Sequence, residues 1–150
     1  MKRCILSLII LFFLSQKVFA DTVKVIDGDT IKIGNEKIRF GGIDAPELKQ
    51  TCFKNKEKIS CGILAKNILK KKIGKEIPKC IKEGKDVYKR TIAECFINGE
   101  SLSKFLVSKG YAFAYRKYSK KFIKDERFAK KNRLGLWSMK FIFPWEFRKL

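Results

Sequence analysis

The chain contains no histidine, and its acidic residues are few: 15 stand against 35 lysines and arginines, a formal net charge of +20 over 150 residues. Without an imidazole, the protein cannot use a histidine general base, a Ser-His-Asp triad or a histidine-ligated metal. Any hydrolysis must therefore depend on a carboxylate, a metal or both. The basic surplus favours a polyanionic partner such as nucleic acid or an acidic membrane surface, although solvated lysines need no ligand.

Long apolar runs are missing as well, except for one of 12 residues, Cys4 to Ser15. This run is too short to cross a bilayer, which takes about 20 apolar residues. It follows the basic start MKR and precedes a small residue, Ala20. The arrangement predicts a signal peptide over residues 1–20 and one mature domain over residues 21–150. We therefore expect a secreted or periplasmic protein with no stable membrane insertion after cleavage.

The CxxC pairs typical of zinc sites are absent, and four cysteines follow the predicted cleavage point. An even number in an exported chain indicates disulfides, for which three pairings are possible. Cys80 and Cys95 lie in segments that look like neighbouring antiparallel strands, and Cys52 and Cys61 flank a lysine-rich loop before a helix. We favour the pairs Cys52–Cys61 and Cys80–Cys95 over a zinc site.

Alternation of apolar and polar residues opens the mature chain in three segments, TVKVI, TIKI and KIRFGGI. The turn signals DG and GN separate them, so a three-stranded meander is expected. Helical spacing follows in GILAKNILKKKIG, and two strands are expected next, around Cys80 and Cys95. Two more helices are predicted in SLSKFLVSKG, with Ser101 as N-cap, and in SKKFIKDERFAKKNRLG. This order predicts an α+β, mainly β fold: a five-stranded OB-fold barrel with about three helices, which often presents a groove to nucleic acid.

A cluster of acids lies in VIDGDTIKIGNEKIRFGGIDAPE, residues 25–47. The DG turn alone explains Asp27. Asp29 and Asp44 stand at strand ends that a short meander could bring side by side. Two such carboxylates repel each other unless a cation joins them, and hard oxygen ligands suit calcium or magnesium. Glu47 remains as the candidate that acts on water.

Two arginines complete the candidate chemistry. Arg39 in the third strand, and Arg90 in KDVYKRTIAE, could each offer a planar fork to a phosphodiester oxygen, where charge accumulates as water attacks. The alternative for either arginine is a surface ion pair. A metal, a base and two arginines together indicate a phosphodiesterase.

The segments VIDGDT, RFGGIDAPE, DVYKR, GYAFAYRKYS and GLW resemble a known family. They occur in the order and approximate spacing of the thermonuclease family, the staphylococcal-nuclease-like, secreted, calcium-dependent nucleases, and they cover nearly all of the mature chain. The resemblance implies an OB barrel with three helices. It also implies an endonuclease that acts on DNA and RNA with little sequence preference, and we expect it to be a monomer.

The resemblance assigns roles to individual residues. It implies that one calcium ion is bound by two carboxylates and a main-chain carbonyl, that a glutamate activates or orients the attacking water, and that two arginines hold the phosphate and stabilise the transition state. By position, the calcium ligands are Asp29, Asp44 and the carbonyl of Ala45, and the catalytic residues are Arg39, Glu47 and Arg90.

The resemblance further places Tyr88 against a terminal phosphate, and Tyr115 and Tyr118 along a nucleoside pocket. The chain departs from the family pattern in two segments. Ala45 replaces the usual threonine, which keeps the carbonyl but removes a hydroxyl. Lys89 stands where the family favours glycine, so the loop that carries Tyr88 and Arg90 could have a different shape.

Two non-enzymatic alternatives remain at this stage. One is an OB-fold nucleic-acid-binding protein that has lost catalysis, and the other is a cationic envelope-associated protein whose charge serves adhesion only. Glu47 counts against the first, because binding alone does not require it. The second predicts neither cleavage nor metal dependence.

Overall fold

The computed structural model describes residues 22–150, and the predicted signal peptide lies outside the described residues. The described part is built mainly from short strands, with helices between and after them. In chain order the elements are β1 Val23–Val25, β2 Thr30–Ile33, β3 Glu36–Phe40, β4 Ile43–Asp44, β5 Cys52–Lys54, β6 Glu57–Ile59, α1 Cys61–Ile73, β7 Lys79–Lys85, β8 Thr91–Ile97, β9 Glu100–Ser101, α2 Leu102–Ser108, β10 Phe113–Ala114, α3 Ile123–Lys131, a 3-10 turn Gly135–Ser138 and α4 Pro144–Phe147.

The main sheet has the strand order β1-β2-β3-β8-β7, with β9 paired to β8. The first three strands form the predicted antiparallel meander. β3 then pairs with β8 in parallel, and β7 pairs with β8 antiparallel. Two small antiparallel pairs, β4 with β10 and β5 with β6, lie outside this ladder. The mixed, mainly β architecture is of the OB type, a partly open barrel, and it confirms the predicted fold class.

The helices confirm the three predicted helical segments and add a short fourth one, α4. α1 buries Ala65, Leu69 and Ile73, which recur every four residues and form one apolar face against the sheet. Ser101 caps α2 as predicted, because its side chain accepts a hydrogen bond from the Lys104 main-chain nitrogen at 3.2 Å. None of the helices described here is long and apolar enough to span a bilayer.

Two disulfides join the cysteines in the predicted pairs. Cys80 and Cys95 face each other across β7 and β8, and Cys52 is joined to Cys61. The lysine-rich loop between Cys52 and Cys61 is a β-hairpin, β5–β6, so this bond ties the hairpin to the first residue of α1. Both bonds indicate an oxidising compartment.

The C-terminal segment is held on the domain by aromatic packing around Phe113 of β10. Phe113 is fully buried, and four rings surround it at centroid distances of 5.0 to 6.2 Å. Phe113 also pairs directly with Asp44 across β10 and β4. The aromatic cluster, which therefore sits immediately behind the acid-bearing strand β4, consists of Phe113, Trp137, Phe141, Phe143 and Trp145.

Candidate active site

Arg39 stands between the two strand-end aspartates. Its Nη1 lies 2.8 Å from Asp29 Oδ2 and its Nη2 lies 2.9 Å from Asp44 Oδ1. Asp29 precedes β2, Arg39 lies on β3 opposite Thr30, and Asp44 ends β4. The structure therefore brings Asp29 and Asp44 together, as the strand ends predict, and joins them through one guanidinium.

Both aspartates are almost completely removed from solvent, with 6% and 1% of the surface of Asp29 and Asp44 exposed. The Ala45 main-chain nitrogen donates to Asp29 Oδ2 at 2.6 Å. Burial raises the pKa of Asp29 to about 7, although the Arg39 charge and the Ala45 hydrogen bond work in the opposite direction. The nearby charges of Asp27 and Asp44 raise it further. A buried carboxylate pair of this kind is stabilised by added positive charge.

The donor atoms around this pair fit a hard divalent cation. Residues 22–150 contain no cluster of three or more histidine, cysteine or acidic side chains arranged to hold a metal. Asp29 and Asp44 nevertheless reach one guanidinium, so their oxygens face the same small volume. The two carboxylates supply hard oxygen donors, and a hard divalent cation accepts water and phosphate oxygens for its remaining positions.

Glu47 follows β4 on a loop whose main chain is fixed by two contacts. Its nitrogen donates to Gln50 Oε1 at 3.2 Å, and its carbonyl accepts from the Gln50 nitrogen at 2.8 Å. The first turn of α1 packs against this loop, because Gly62 has no side chain to separate them. The Glu47 side chain remains 42% exposed and reaches the groove.

Arg148, directly after α4, is a site residue that sequence reasoning missed. Its Nη2 lies 2.8 Å from Asp44 Oδ2, and its Nη1 lies 3.2 Å from Asp44 Oδ1 and 2.7 Å from Glu47 Oε1. These contacts keep the pKa of Arg148 above its usual value, the Asp44 hydrogen bonds being the main cause. Arg148 is 104 positions from Asp44, and no local spacing signals such a pair.

Arg90 lies on the loop before β8 and is held by Asp86. The Arg90 Nε lies 2.7 Å from Asp86 Oδ2, while Asp86 Oδ1 accepts from the Tyr88 and Arg90 main-chain nitrogens at 2.9 Å each. Desolvation works to raise the pKa of Asp86, but these contacts outweigh it and lower the pKa below its usual value. An aspartate that accepts from the second and fourth residues after it is a local signal, which sequence reasoning overlooked.

Lys89 of the same loop has φ of +61°, in the left-handed region that favours glycine. The loop therefore takes the backbone conformation that the glycine of the family pattern would allow, and a lysine bears the steric cost. Tyr88 at the loop tip is 78% exposed, and the Arg90 guanidinium lies over its ring at 5.6 Å.

Tyr115 and Tyr118 lie beside each other after β10. Their rings meet edge to face at a centroid distance of 5.0 Å, and Tyr115 also stacks on Trp145 at 5.8 Å with an interplanar angle of 7°. Tyr118 is mostly exposed, whereas Tyr115 is half-buried. Trp145 thus belongs both to the aromatic cluster and to the wall beside Tyr115.

One groove of about 1170 Å³ unites these residues. It is lined by carboxylates, arginines and aromatic side chains from β3, β4, the loop before β8 and the segment after β10. Apart from the cysteines, it contains every site residue predicted from the sequence together with Arg148: Asp29, Arg39, Asp44, Ala45, Glu47, Tyr88, Arg90, Tyr115 and Tyr118.

The chain is similar to several known proteins. The family profile described as "Staphylococcal nuclease homologue" matches residues 37–139. An "Uncharacterized endonuclease" of Haemophilus influenzae is 32% identical over 124 residues, covering 77% of this chain and 64% of the relative. The "SPbeta prophage-derived endonuclease YokF" of Bacillus subtilis is 32% identical over 136 residues, covering 77% and 42%. A "Staphylococcal-like nuclease" of Arabidopsis thaliana is 32% identical over 116 residues, covering 75% and 33%.

The groove of this OB-type domain brings together buried, paired carboxylates and arginines. Because the family profile covers most of the chain, the chain belongs to the staphylococcal nuclease family. Members of this family are generally metal-dependent nucleases. The chain spans less than two thirds of the length of the relatives described above.

Proposed function

We propose that this protein is a secreted, calcium-dependent endonuclease that hydrolyses phosphodiester bonds in DNA and RNA with little sequence preference. The observation that carries the proposal is the Asp29–Arg39–Asp44 arrangement at 2.8 and 2.9 Å, with Glu47 and Arg90 on the same groove. Family membership supports nuclease chemistry, and the absence of histidine from the sequence leaves it to carboxylates, arginines and a metal.

In the proposed site, Asp29, Asp44 and the Ala45 carbonyl hold one calcium ion. Bound there, the ion supplies Lewis-acid polarisation of the scissile phosphate. Burial of both aspartates supports this role, because their charges are poorly solvated and gain from a cation. Arg39, which contacts both aspartates, adds a second positive charge beside the ion.

Glu47 is proposed to orient and deprotonate the attacking water. Its side chain is the most exposed of the three acids at the site, so water has access to it. Arg39 and Arg90 then meet the negative charge that develops on the phosphate oxygens, where a planar guanidinium fork is most effective. Asp86 holds Arg90 in orientation for that contact.

The tyrosines are proposed to contact the nucleotide. Tyr88, exposed at the tip of its loop, suits a phosphate contact, while Tyr115 and Tyr118 offer ring surfaces beside the groove to a base. The surrounding basic surface draws in the polyanion, and affinity should fall as salt rises. Two disulfides and the predicted signal peptide support export.

The test is an incubation of purified protein with plasmid DNA and with RNA, in calcium, in magnesium and in chelator. Cleavage of both substrates in calcium, and loss of cleavage in chelator, are expected. Binding without cleavage under every condition would instead favour the inactive OB-fold nucleic-acid-binding protein. Equal cleavage rates in calcium and in chelator, with metal demonstrably removed, would contradict the metal requirement.

A further inference from the structure

Arg148 makes more contacts with the acids of the site than a surface ion pair would. Its two terminal nitrogens engage both oxygens of Asp44 and one oxygen of Glu47, at 2.7 to 3.2 Å. Asp44 Oδ1 also accepts from Arg39. Both carboxylate oxygens of the most buried acid in the site are therefore bound to arginine.

Contacts of the segment that carries Arg148 fix its position. α4 begins with Pro144, and Trp145 stacks on Phe143 at a centroid distance of 4.5 Å. Upstream, Gln50 Nε2 donates to the Ile142 carbonyl at 2.6 Å. The other end of the same Gln50 side chain accepts from the Glu47 nitrogen, so one residue fixes both the loop of Glu47 and the segment that carries Arg148.

A divalent cation and Arg148 need the same atoms. Asp29, Asp44 and Glu47 are the three acids concerned, and Arg39 and Arg148 are the two arginines that contact them. A cation at Asp44 would add charge next to Arg148 and compete for the oxygens that Arg148 occupies. Arg39 contacts the buried Asp29 as well as Asp44, whereas the Arg148 side chain is 39% exposed. Arg148 is therefore the arginine that a cation can displace.

The structure provides a place for the released side chain. Arg148 lines the main groove and also a second groove of about 580 Å³, which Lys117 and Lys149 line as well. This second groove is open to solvent, so a guanidinium turned away from Asp44 would face water there.

We infer that Arg148 is a positioning residue that competes with the divalent cation for Asp44 and, until a cation binds, holds Asp44 and Glu47 in place. The inference rests on the proposed function, since it concerns the same metal site. Arg148 thus takes the part of an internal counter-ion, which keeps the buried acids paired in the metal-free protein and is released when the cation arrives.

The test is calorimetric titration of calcium into the metal-free protein and three variants. Arg148→Gln should bind calcium about tenfold more tightly, the change expected when one charge-assisted contact no longer has to be broken. Arg148→Lys keeps the charge but loses the fork, so it should tighten binding by a smaller factor. Lys58→Gln, an exposed residue on β6 that lines neither groove, should bind like the parent and controls for the general loss of one positive charge.

Thermal unfolding supplies a second measurement that does not depend on activity. In chelator, Arg148→Gln should have a lower Tm than the parent, because Asp44 loses two contacts while it stays buried. Saturating calcium should narrow that difference. Lys58→Gln should have the same Tm as the parent under both conditions.

The outcomes separate this inference from the function on which it rests. A parent protein that binds no calcium would overturn the proposed calcium site itself. A parent that binds calcium, with Arg148→Gln binding equally or more weakly, would overturn the competition while leaving the site intact. Equal tightening by Arg148→Gln and Lys58→Gln would also overturn it, because the effect would then be one of net charge.

Discussion

Gly62, in the first turn of α1, packs directly against the main chain of Glu47. A Cβ at this position would stand 1.8 Å from the Glu47 carbonyl oxygen, closer than any real contact. The helix can therefore lie this close to the loop of Glu47, the proposed catalytic glutamate, only because residue 62 is glycine. Cys61, immediately before it, joins the same end of α1 to β5 through the disulfide with Cys52.

Gly62→Ala is expected to lower both stability and turnover. Alanine favours a helix by about 1 kcal/mol over glycine, but the clash with the Glu47 main chain forces α1 or the loop to move, which typically costs about 1 to 3 kcal/mol. Urea unfolding and steady-state cleavage of DNA measure the two effects. Asn67→Ala on the exposed face of α1 serves as control and should change neither; a Gly62→Ala protein more stable than the parent would contradict the close approach.

Glu47→Gln is expected to separate catalysis from binding. If Asp29 and Asp44 hold the cation, the charge of Glu47 is not needed for that purpose, so calcium and nucleic-acid affinities should stay near those of the parent. Turnover should fall by about 10² or more, the usual scale for losing a positioned acid or base. Single-turnover cleavage beside a binding titration at fixed salt provides the measurement, and an unchanged rate would remove Glu47 from the mechanism.

Arg90→Ala should lose both turnover and some affinity, in contrast with Glu47→Gln. The change removes a fork aimed at the developing phosphate charge, so turnover should fall by a factor of about 10² or more. One phosphate contact disappears with it, which weakens binding and makes it less dependent on salt. The same two assays, repeated at several salt concentrations, test this; affinity loss without a rate effect would make Arg90 a binding residue only.

Asp29→Asn and Asp44→Asn should each weaken calcium binding and turnover together. Either change replaces one carboxylate of a buried pair that shares the Arg39 guanidinium, and with it a hard oxygen ligand that can be ionised. Calcium titration and cleavage rates over a range of calcium concentrations are the measurements. Asp125→Asn on α3 removes one acidic charge away from the groove and should leave both quantities unchanged, whereas parent-like calcium affinity in Asp44→Asn would exclude Asp44 as a ligand.

Asp86 is expected to make stability depend on pH in the acid range. Its pKa is lowered in the folded protein, so its contribution to stability is present above its ordinary value of 3.8 and is lost as pH falls through the lower folded-state value. Asp86→Asn should therefore be less stable than the parent at neutral pH, and the difference should vanish in strong acid. Urea unfolding at a series of pH values measures this, with Glu57→Gln on exposed β6 as control; a difference that persists unchanged into acid would contradict the ionic contribution.

Much of the fold follows from short-range patterns. The alternating strands, the Ser101 cap and the opposition of Cys80 and Cys95 all involve residues close in sequence or in neighbouring strands, so periodicity and turn chemistry suffice to predict them. The start of α3 shows where prediction from short-range patterns fails. The helix begins at Ile123, later than predicted from Ser119, because the Ser119 side chain accepts from the Lys121 nitrogen and forms a turn instead.

The candidate site likewise combines contacts that the sequence indicates with contacts that it does not. Asp29 stands directly before β2, and Asp44 follows shortly after the end of β3, the strand paired with β2, so the sequence indicates that these carboxylates meet. That Trp145 stacks beside Tyr115 depends on side-chain packing between distant segments. Hydrophobic burial around Phe113 decides that packing, and no local spacing encodes it.

By itself, the sequence determined the chemical inventory and the order of the elements: no histidine, a strongly basic chain, acids at the ends of short strands and arginines near them. Only the tertiary structure decided which arginine meets which acid. Arg148 reaches Asp44 across 104 positions because the aromatic cluster holds α4 near β4. The free energy of that packing comes from burying side chains of distant segments together, so no single segment encodes it.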